Sequence, residues 1–143
     1  AFREIGPSFS RAISYESKAV VYALDAPFCR NPVNFVSNLF LAAAVYTRLR
    51  QPQVYALTKA DLVSEEELER IVGWGSEIEQ LENALEATSG DAGSLIARDL
   101  AMAVHATGLI YEPIPVSAKS SLGLVELNAS LTRALTGGEE LRP

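Results

Sequence analysis

The stretch VYALTKADLVSEEELER, from Val54 to Arg70, decides the fold class of this chain. It begins as a short run of apolar, β-branched and aromatic residues, which is typical of a buried strand. The polar turn TKAD at 58–61 ends the run. Ser64, with Glu67 three residues later, then has the pattern of a helix capping box. A strand that leads through a polar turn into a helix is the repeating unit of a parallel α/β sheet.

Three apolar runs of the chain are interpreted as strands: Lys18–Ala26, Gln53–Thr58 and Tyr111–Ala118. The first two are apolar on both faces, which predicts parallel strands that are covered on each side. The third contains two prolines, which cannot donate a backbone hydrogen bond to a neighbouring strand. We therefore expect the third strand to pair only over Ile114–Ala118, or to lie near an edge of the sheet.

Helical patterns separate these strands. Asn31 followed by Pro32 predicts a helix start, and apolar residues continue at helical spacing to Arg50. The pattern that begins after Ser64 contains two glycines that can bend or split its helix. A further helix is predicted over SLIARDLAMAVHA. The last predicted helix, Gly123–Leu135, has a leucine stripe at Leu124, Leu127, Leu131 and Leu135.

The order of these elements predicts an α/β fold. We expect a parallel sheet of about three strands, flanked by helices and joined by right-handed crossovers. Residues 1–138 are interpreted as a single α/β domain, and residues 139–143 as a polar tail. Three strands are few for such a sheet, so the chain has the pattern of the second half of a doubly wound domain.

Composition limits the possible functions. The chain has 143 residues, is 48% hydrophobic and carries a formal net charge of −6. This acidic balance argues against direct binding of nucleic acid through a basic surface. With one cysteine, Cys29, and one histidine, His105, neither an internal disulfide nor a Cys/His zinc set can form. This cysteine usage favours the cytoplasm. The longest apolar run is shorter than the ~20 residues that cross a bilayer, so we expect no membrane contact.

Polar residues follow two successive strands, where parallel sheets bind their ligands. The carboxylate of Asp61 can accept two parallel hydrogen bonds from N1–H and the exocyclic amine of guanine, a donor pair that adenine lacks. The methylene stem of Lys59 can lie along the base. The turn Ser117-Ala118-Lys119 can offer a backbone N–H to the guanine O6. Taken alone, residues 58–61 fit an ordinary solvated turn better; the second motif favours a guanine site.

Both motifs resemble the guanine-recognition motifs of P-loop GTPases. The chain is similar to the middle and carboxyl-terminal part of the archaeal GPN-loop GTPases. The segments that carry this similarity are LTKAD at 57–61, VSAKSSLGL at 116–124 and FREIG at 2–6. The resemblance covers essentially the whole chain and includes a two-helix insertion between the motifs. It implies a partial P-loop NTPase-like fold and a guanine site made of Thr58, Lys59, Asp61, Ser117, Ala118 and Lys119.

The resemblance also implies properties that these residues cannot supply. Members of the family bind GTP and GDP, use Mg²⁺ and act as homodimers in which the partner's loop completes the phosphate site. Here Thr58 replaces the usual asparagine of the first motif, which removes one amide contact. The chain contains neither the Gly-Lys-Ser/Thr phosphate loop nor the Gly-Pro-Asn triplet. We therefore expect a fragment of a longer GTPase, inactive alone and without metal ligands, and assign no catalytic residue.

Several alternatives remain open at this stage. Asp25 ends the first strand and is interpreted as a turn residue in preference to an indirect contact on the phosphate side of the nucleotide. Cys29 is interpreted as a buried apolar residue in preference to a nucleophile. His105 is interpreted as a packed or surface residue in preference to a ligand. A different class of function is a non-catalytic α/β interaction module that acts as a scaffold. An adenine-nucleotide-binding domain is a third.

Overall fold

The computed structural model describes Ser8 and residues 17–88, 92–109 and 111–137 of the chain. The start of the chain, with its FREIG segment, and the expected polar tail at 139–143 lie outside these described residues. The α-helices are α1 Ala26–Cys29, α2 Pro32–Leu49, α3 Glu65–Ser76, α4 Ile78–Ala87, α5 Ala92–Ala106 and α6 Leu124–Leu135. The strands are β1 Val20–Asp25, β2 Gln53–Thr58 and β3 Ile114–Pro115, and a 3-10 turn spans Ala60–Leu62.

The strands form one parallel sheet in the order β1-β2-β3, which confirms the predicted α/β fold class. β1 and β2 pair along their whole length, from Val20 opposite Gln53 to Asp25 opposite Thr58. β3 lies at an edge of the described sheet, which was one of the two predicted alternatives, and it pairs over two residues and not over Ile114–Ala118. Its prolines lack the N–H that would extend the ladder, although the Val116 N–H still donates to the carbonyl of Leu57 at 2.9 Å.

The hydrophobic core lies on one face of this sheet. Leu24 of β1 and Leu57 of β2 are buried there, in register with each other. Helices α2 to α5 cover this face, and Phe35 of α2 meets Trp74 of α3 with ring centroids 5.7 Å apart. The helical pattern after Ser64 divides at Glu77 into α3 and α4, as its glycines predicted. The expected two-helix insertion therefore consists of three helices once α5 is included.

The opposite face of the sheet is only partly covered. Helix α6 contacts β2, so Val54 and Ala56 are buried, whereas Val21 of β1 is 44% exposed. The prediction that β1 is covered on both sides is therefore wrong for the described residues, because no described helix packs over it. The predicted leucine stripe of α6 is also only half-buried at best: Leu124 and Leu135 are exposed.

The helix starts follow the local sequence. The Asn31 side chain accepts a hydrogen bond from the Val33 N–H at 2.9 Å and caps α2. At α3, the Glu67 N–H donates to Ser64 Oγ at 3.2 Å and the Ser64 N–H donates to Glu67 Oε2 at 3.0 Å, which completes the predicted capping box. None of the helices in the described part of the chain is long and apolar enough to cross a membrane.

Candidate functional site

The polar residues singled out in the sequence meet at the carboxyl edge of the sheet. β1 ends at Asp25 and β2 at Thr58, and these two residues are partners in the register. The 3-10 turn that contains Asp61 follows β2 directly, and the turn at 118–120 follows β3. The Ala60 N–H donates to the carbonyl of Val116 at 3.1 Å, so the backbones of the two loops are joined.

A side-chain hydrogen bond links the two loops. Ser117 Oγ donates to Asp61 Oδ1 at 2.7 Å, although the two residues are 56 positions apart in the sequence. Ser117 is 1% exposed, whereas Asp61 is exposed. The same Oγ accepts a hydrogen bond from the Ser120 N–H at 3.2 Å. The buried Ser117 hydroxyl therefore holds the Asp61 carboxylate in place, while Asp61 remains accessible to solvent.

The loop after β3 presents its backbone at the same edge. The Ser117 N–H donates to the carbonyl of Leu122 at 3.1 Å, which closes the loop between these two residues. Gly123 has φ of +72°, and a Cβ placed there would collide with the carbonyl oxygen of Pro115. Ala118 and Lys119 are exposed between these fixed points. The Ala118 N–H donates to no acceptor among the described residues, so it can serve a ligand.

Lys59 adopts a position that sequence reasoning missed. Its backbone is left-handed, with φ of +58°, and its Nζ contacts Asp25 Oδ2 at 2.6 Å. Asp25 Oδ1 meanwhile accepts a hydrogen bond from the Phe28 N–H at 3.1 Å and caps α1. The contact follows from the observed register, which places Asp25 beside Thr58, one residue before Lys59.

Thr58 acts within the sheet. Its Oγ1 donates to the carbonyl of Leu24 at 2.8 Å and ties the end of β2 to β1. A hydroxyl is shorter than the asparagine amide that it replaces in the motif, and its proton is already engaged. Of the six residues predicted for the site, Thr58 thus has the weakest geometric case for touching a base.

The local electrostatics keep both carboxylates ionised at neutral pH. The hydrogen bond from Ser117 is the main cause that lowers the pKa of Asp61, and Lys119 adds a smaller effect in the same direction. The hydrogen bond from Lys59 is the main cause that lowers the pKa of Asp25. Burial instead raises the pKa of the Cys29 thiol to about 11, so this cysteine is protonated and a poor nucleophile.

This arrangement can recognise a planar heterocycle with a particular edge. An ionised carboxylate accepts from two adjacent N–H groups, and a free backbone N–H beside it donates to a carbonyl oxygen. Among the described residues, no cluster of three or more His, Cys, Asp or Glu could hold a metal ion. His105 is exposed on α5.

Two comparisons with known proteins show what this chain is similar to. A family model described as "Conserved hypothetical ATP binding protein" matches residues 2–137. The crystal structure of PAB0955, described as a GTPase in apo form from Pyrococcus abyssi, is similar with a TM-score of 0.76 and 26% sequence identity. The match covers 93% of this chain and 52% of that chain, so the present chain spans about half the length of the structure that it matches.

Proposed function

The chain belongs to the GPN-loop family of nucleotide-binding proteins, and we propose that it is the guanine-recognising half of a GTPase. In this proposal Asp61 accepts hydrogen bonds from N1–H and the 2-amino group of guanine. The Ala118 N–H donates to O6, and the Lys59 stem lies along the ring face. Ser117 and Lys119 support the carboxylate of Asp61, and Thr58 ties the two strand ends beneath them.

The observation that carries this proposal is the 2.7 Å hydrogen bond from Ser117 Oγ to Asp61 Oδ1. Two motifs that are far apart in the sequence are brought together by a buried hydroxyl whose main contacts are the other motif and its own turn. A solvated turn would not need a buried serine under its carboxylate. Ala118 is exposed in the neighbouring loop, and in this proposal its N–H completes a donor-and-acceptor edge that is complementary to guanine and not to adenine.

The expected selectivity follows from the hydrogen-bond inventory. Adenine presents no donor pair to Asp61, and its 6-amino group would face the Ala118 N–H, another donor. A polar group left unsatisfied on binding costs about 1–3 kcal/mol, and a charged group costs more. Because Asp61 is exposed, water partly satisfies its carboxylate when adenine is bound, so we expect a smaller penalty than at a buried site. Together the contacts favour guanine over adenine by about 10- to 100-fold.

Hydrolysis belongs to the longer protein in this proposal. The intact GTPase would bind GTP with Mg²⁺, act as a nucleotide switch and work as a homodimer. The described residues do not fit Mg²⁺ by themselves, since Asp25 and Asp61 are engaged by Lys59 and Ser117 and no third carboxylate joins them. The part of the chain that the structure describes therefore selects the base, and no hydrolytic step is assigned to it.

The direct test is a titration of the full-length protein with GDP. Asp61→Ala removes both acceptors and is expected to weaken GDP binding by at least tenfold. Asp99→Ala, an exposed aspartate on α5, is the matched control and is expected to leave the affinity unchanged. Unchanged GDP affinity in Asp61→Ala, with the apo protein folded, would show that the site assignment is wrong.

Adenine nucleotides are the second candidate ligand, because the matching family is described as ATP binding. An adenine site in this position would use the ring face and leave Asp61 without a partner on the base. Competition between GTP and ATP for the full-length protein separates the two candidates. Preferential displacement by ATP would overturn the role given to Asp61, and binding of neither nucleotide would favour a non-catalytic interaction module.

A further inference from the structure

We propose that Asp25 is a positioning residue that holds Lys59 against the end of β1, so that the lysine stem is ordered before a nucleotide arrives. The inference rests on the proposed guanine site, because it assigns the stem of Lys59 as one wall of that site. Asp25 itself would touch no part of the base. Its effect on binding would pass entirely through Lys59.

Asp25 is an unusually rigid partner for a lysine. Its Oδ1 accepts from the Phe28 N–H at 3.1 Å, which fixes the rotation of the carboxylate. Its backbone lies in β1, opposite Thr58 in the sheet register, and the Thr58 hydroxyl bonds the carbonyl of Leu24 at 2.8 Å. The remaining oxygen, Oδ2, is therefore held at one place beside the start of the Lys59 turn.

The ion pair does little for stability. The side chains of Lys59 and Asp25 are 58% and 38% exposed, and exposed pairs contribute little because solvent screens them and the long side chain loses entropy. Lys59 also occupies a left-handed backbone conformation, with φ of +58°, which lysine adopts at a cost. A contact of 2.6 Å between such residues makes most sense as a means of directing the side chain.

The proposed site needs the Lys59 stem to point along the face of the base. A free lysine side chain has four rotatable bonds. Each long side chain that is immobilised on binding lowers the affinity for the ligand. When Asp25 anchors the ammonium in the apo protein, much of that ordering precedes nucleotide binding. We therefore expect the loss of the anchor to weaken GDP binding by about 2- to 10-fold, in line with the cost of ordering one side chain.

Asp25→Asn isolates this role, because an asparagine oxygen can still accept from the Phe28 N–H and cap α1. GDP affinity of the full-length protein is measured for wild type, Asp25→Asn, Lys59→Met and the double variant. Lys59→Met keeps an apolar stem and loses the ammonium. We expect each single variant to weaken binding by about 2- to 10-fold. In the Lys59→Met background, Asp25→Asn should change the affinity less than about twofold, since the anchored group is already absent.

The alternatives give different results. If Asp25 acts only through the helix cap or the net charge, Asp25→Asn will change GDP affinity by the same factor in both backgrounds, which overturns the inference. An unchanged affinity in Asp25→Asn alone also overturns it. Asp61→Ala is measured in parallel: its failure to weaken binding would reject the guanine site itself. If Asp61→Ala weakens GDP binding and Asp25→Asn does not, only the role of Asp25 is rejected.

Discussion

At the scale of single residues, Ser117 is a buried hydroxyl that serves an exposed carboxylate. It donates to Asp61 at 2.7 Å and accepts from the Ser120 N–H at 3.2 Å. Ser117→Ala should lower the free energy of unfolding by about 1 kcal/mol, the net value of a typical intramolecular hydrogen bond. Urea unfolding measures this change. Ser120→Ala is the control, because it keeps its backbone N–H, and it should stay within about 0.5 kcal/mol of wild type. Equal effects would contradict the assigned role.

The same hydrogen bond predicts a pH dependence. Asp61 has a lowered pKa in the folded state, so its contribution to stability is fully present above the ordinary aspartate value of about 3.9. That contribution is lost as the pH falls through the lowered pKa. Ser117→Ala removes the main cause of the shift and should therefore reduce the loss of stability between pH 5 and pH 3. Unfolding free energies of both proteins at the two pH values test this; identical losses would refute it.

At the scale of elements, the loop after β3 depends on Gly123. Its φ is +72°, and an added Cβ would meet the carbonyl of Pro115. Gly108 has the same φ, but nothing lies within 4 Å of its added Cβ, which makes Gly108→Ala a matched control. We expect Gly108→Ala to cost about 1 kcal/mol from backbone strain and Gly123→Ala to cost at least about 2 kcal/mol more. Thermal unfolding compares the two, and equal midpoints would contradict a close approach at Gly123.

The elements also show what a sequence pattern can predict. β2 runs over Gln53–Thr58 as expected, because an apolar run between turn signals has few other arrangements. Ser64 and Glu67 start α3 as predicted, because capping depends only on neighbours in the chain. For the third strand, the prolines predicted pairing only over Ile114–Ala118 or a place near an edge. β3 does lie at an edge of the described sheet, but its paired part ends at Pro115. Local rules therefore predicted element starts better than pairing.

The candidate site was also predicted only in part. The sequence predicted which loops would converge, because the carboxyl ends of parallel strands share an edge. It did not predict that Lys59 is held by Asp25 or that the Thr58 hydroxyl faces Leu24. Those contacts depend on the register of β1 against β2 and on the left-handed backbone at Lys59. Neither can be read from the composition of one strand.

At the scale of the whole molecule, we expect the exposed side of β1 to control how copies of this chain associate with each other. Val21 is 44% exposed on a strand beside which no described strand pairs on the far side. In the 143-residue chain, Val21→Lys should reduce self-association, because a charge on an edge strand opposes further pairing. Sedimentation at several concentrations measures it. Val125→Lys is the control: Val125 is 80% exposed on helix α6 and is not part of β1, so it should have little effect. Equal reductions would argue against the β1 face.

The central claim is that Asp61 selects guanine by accepting two hydrogen bonds from its edge. Asp61→Asn in the full-length protein tests it most directly, because asparagine exchanges one acceptor for a donor. Xanthine carries a carbonyl where guanine carries its 2-amino group, so it matches the new pair. We predict that Asp61→Asn binds XDP more tightly than GDP, the reverse of wild type, in a competition titration. An Asp61→Asn protein that remains folded and still prefers GDP would contradict the claim.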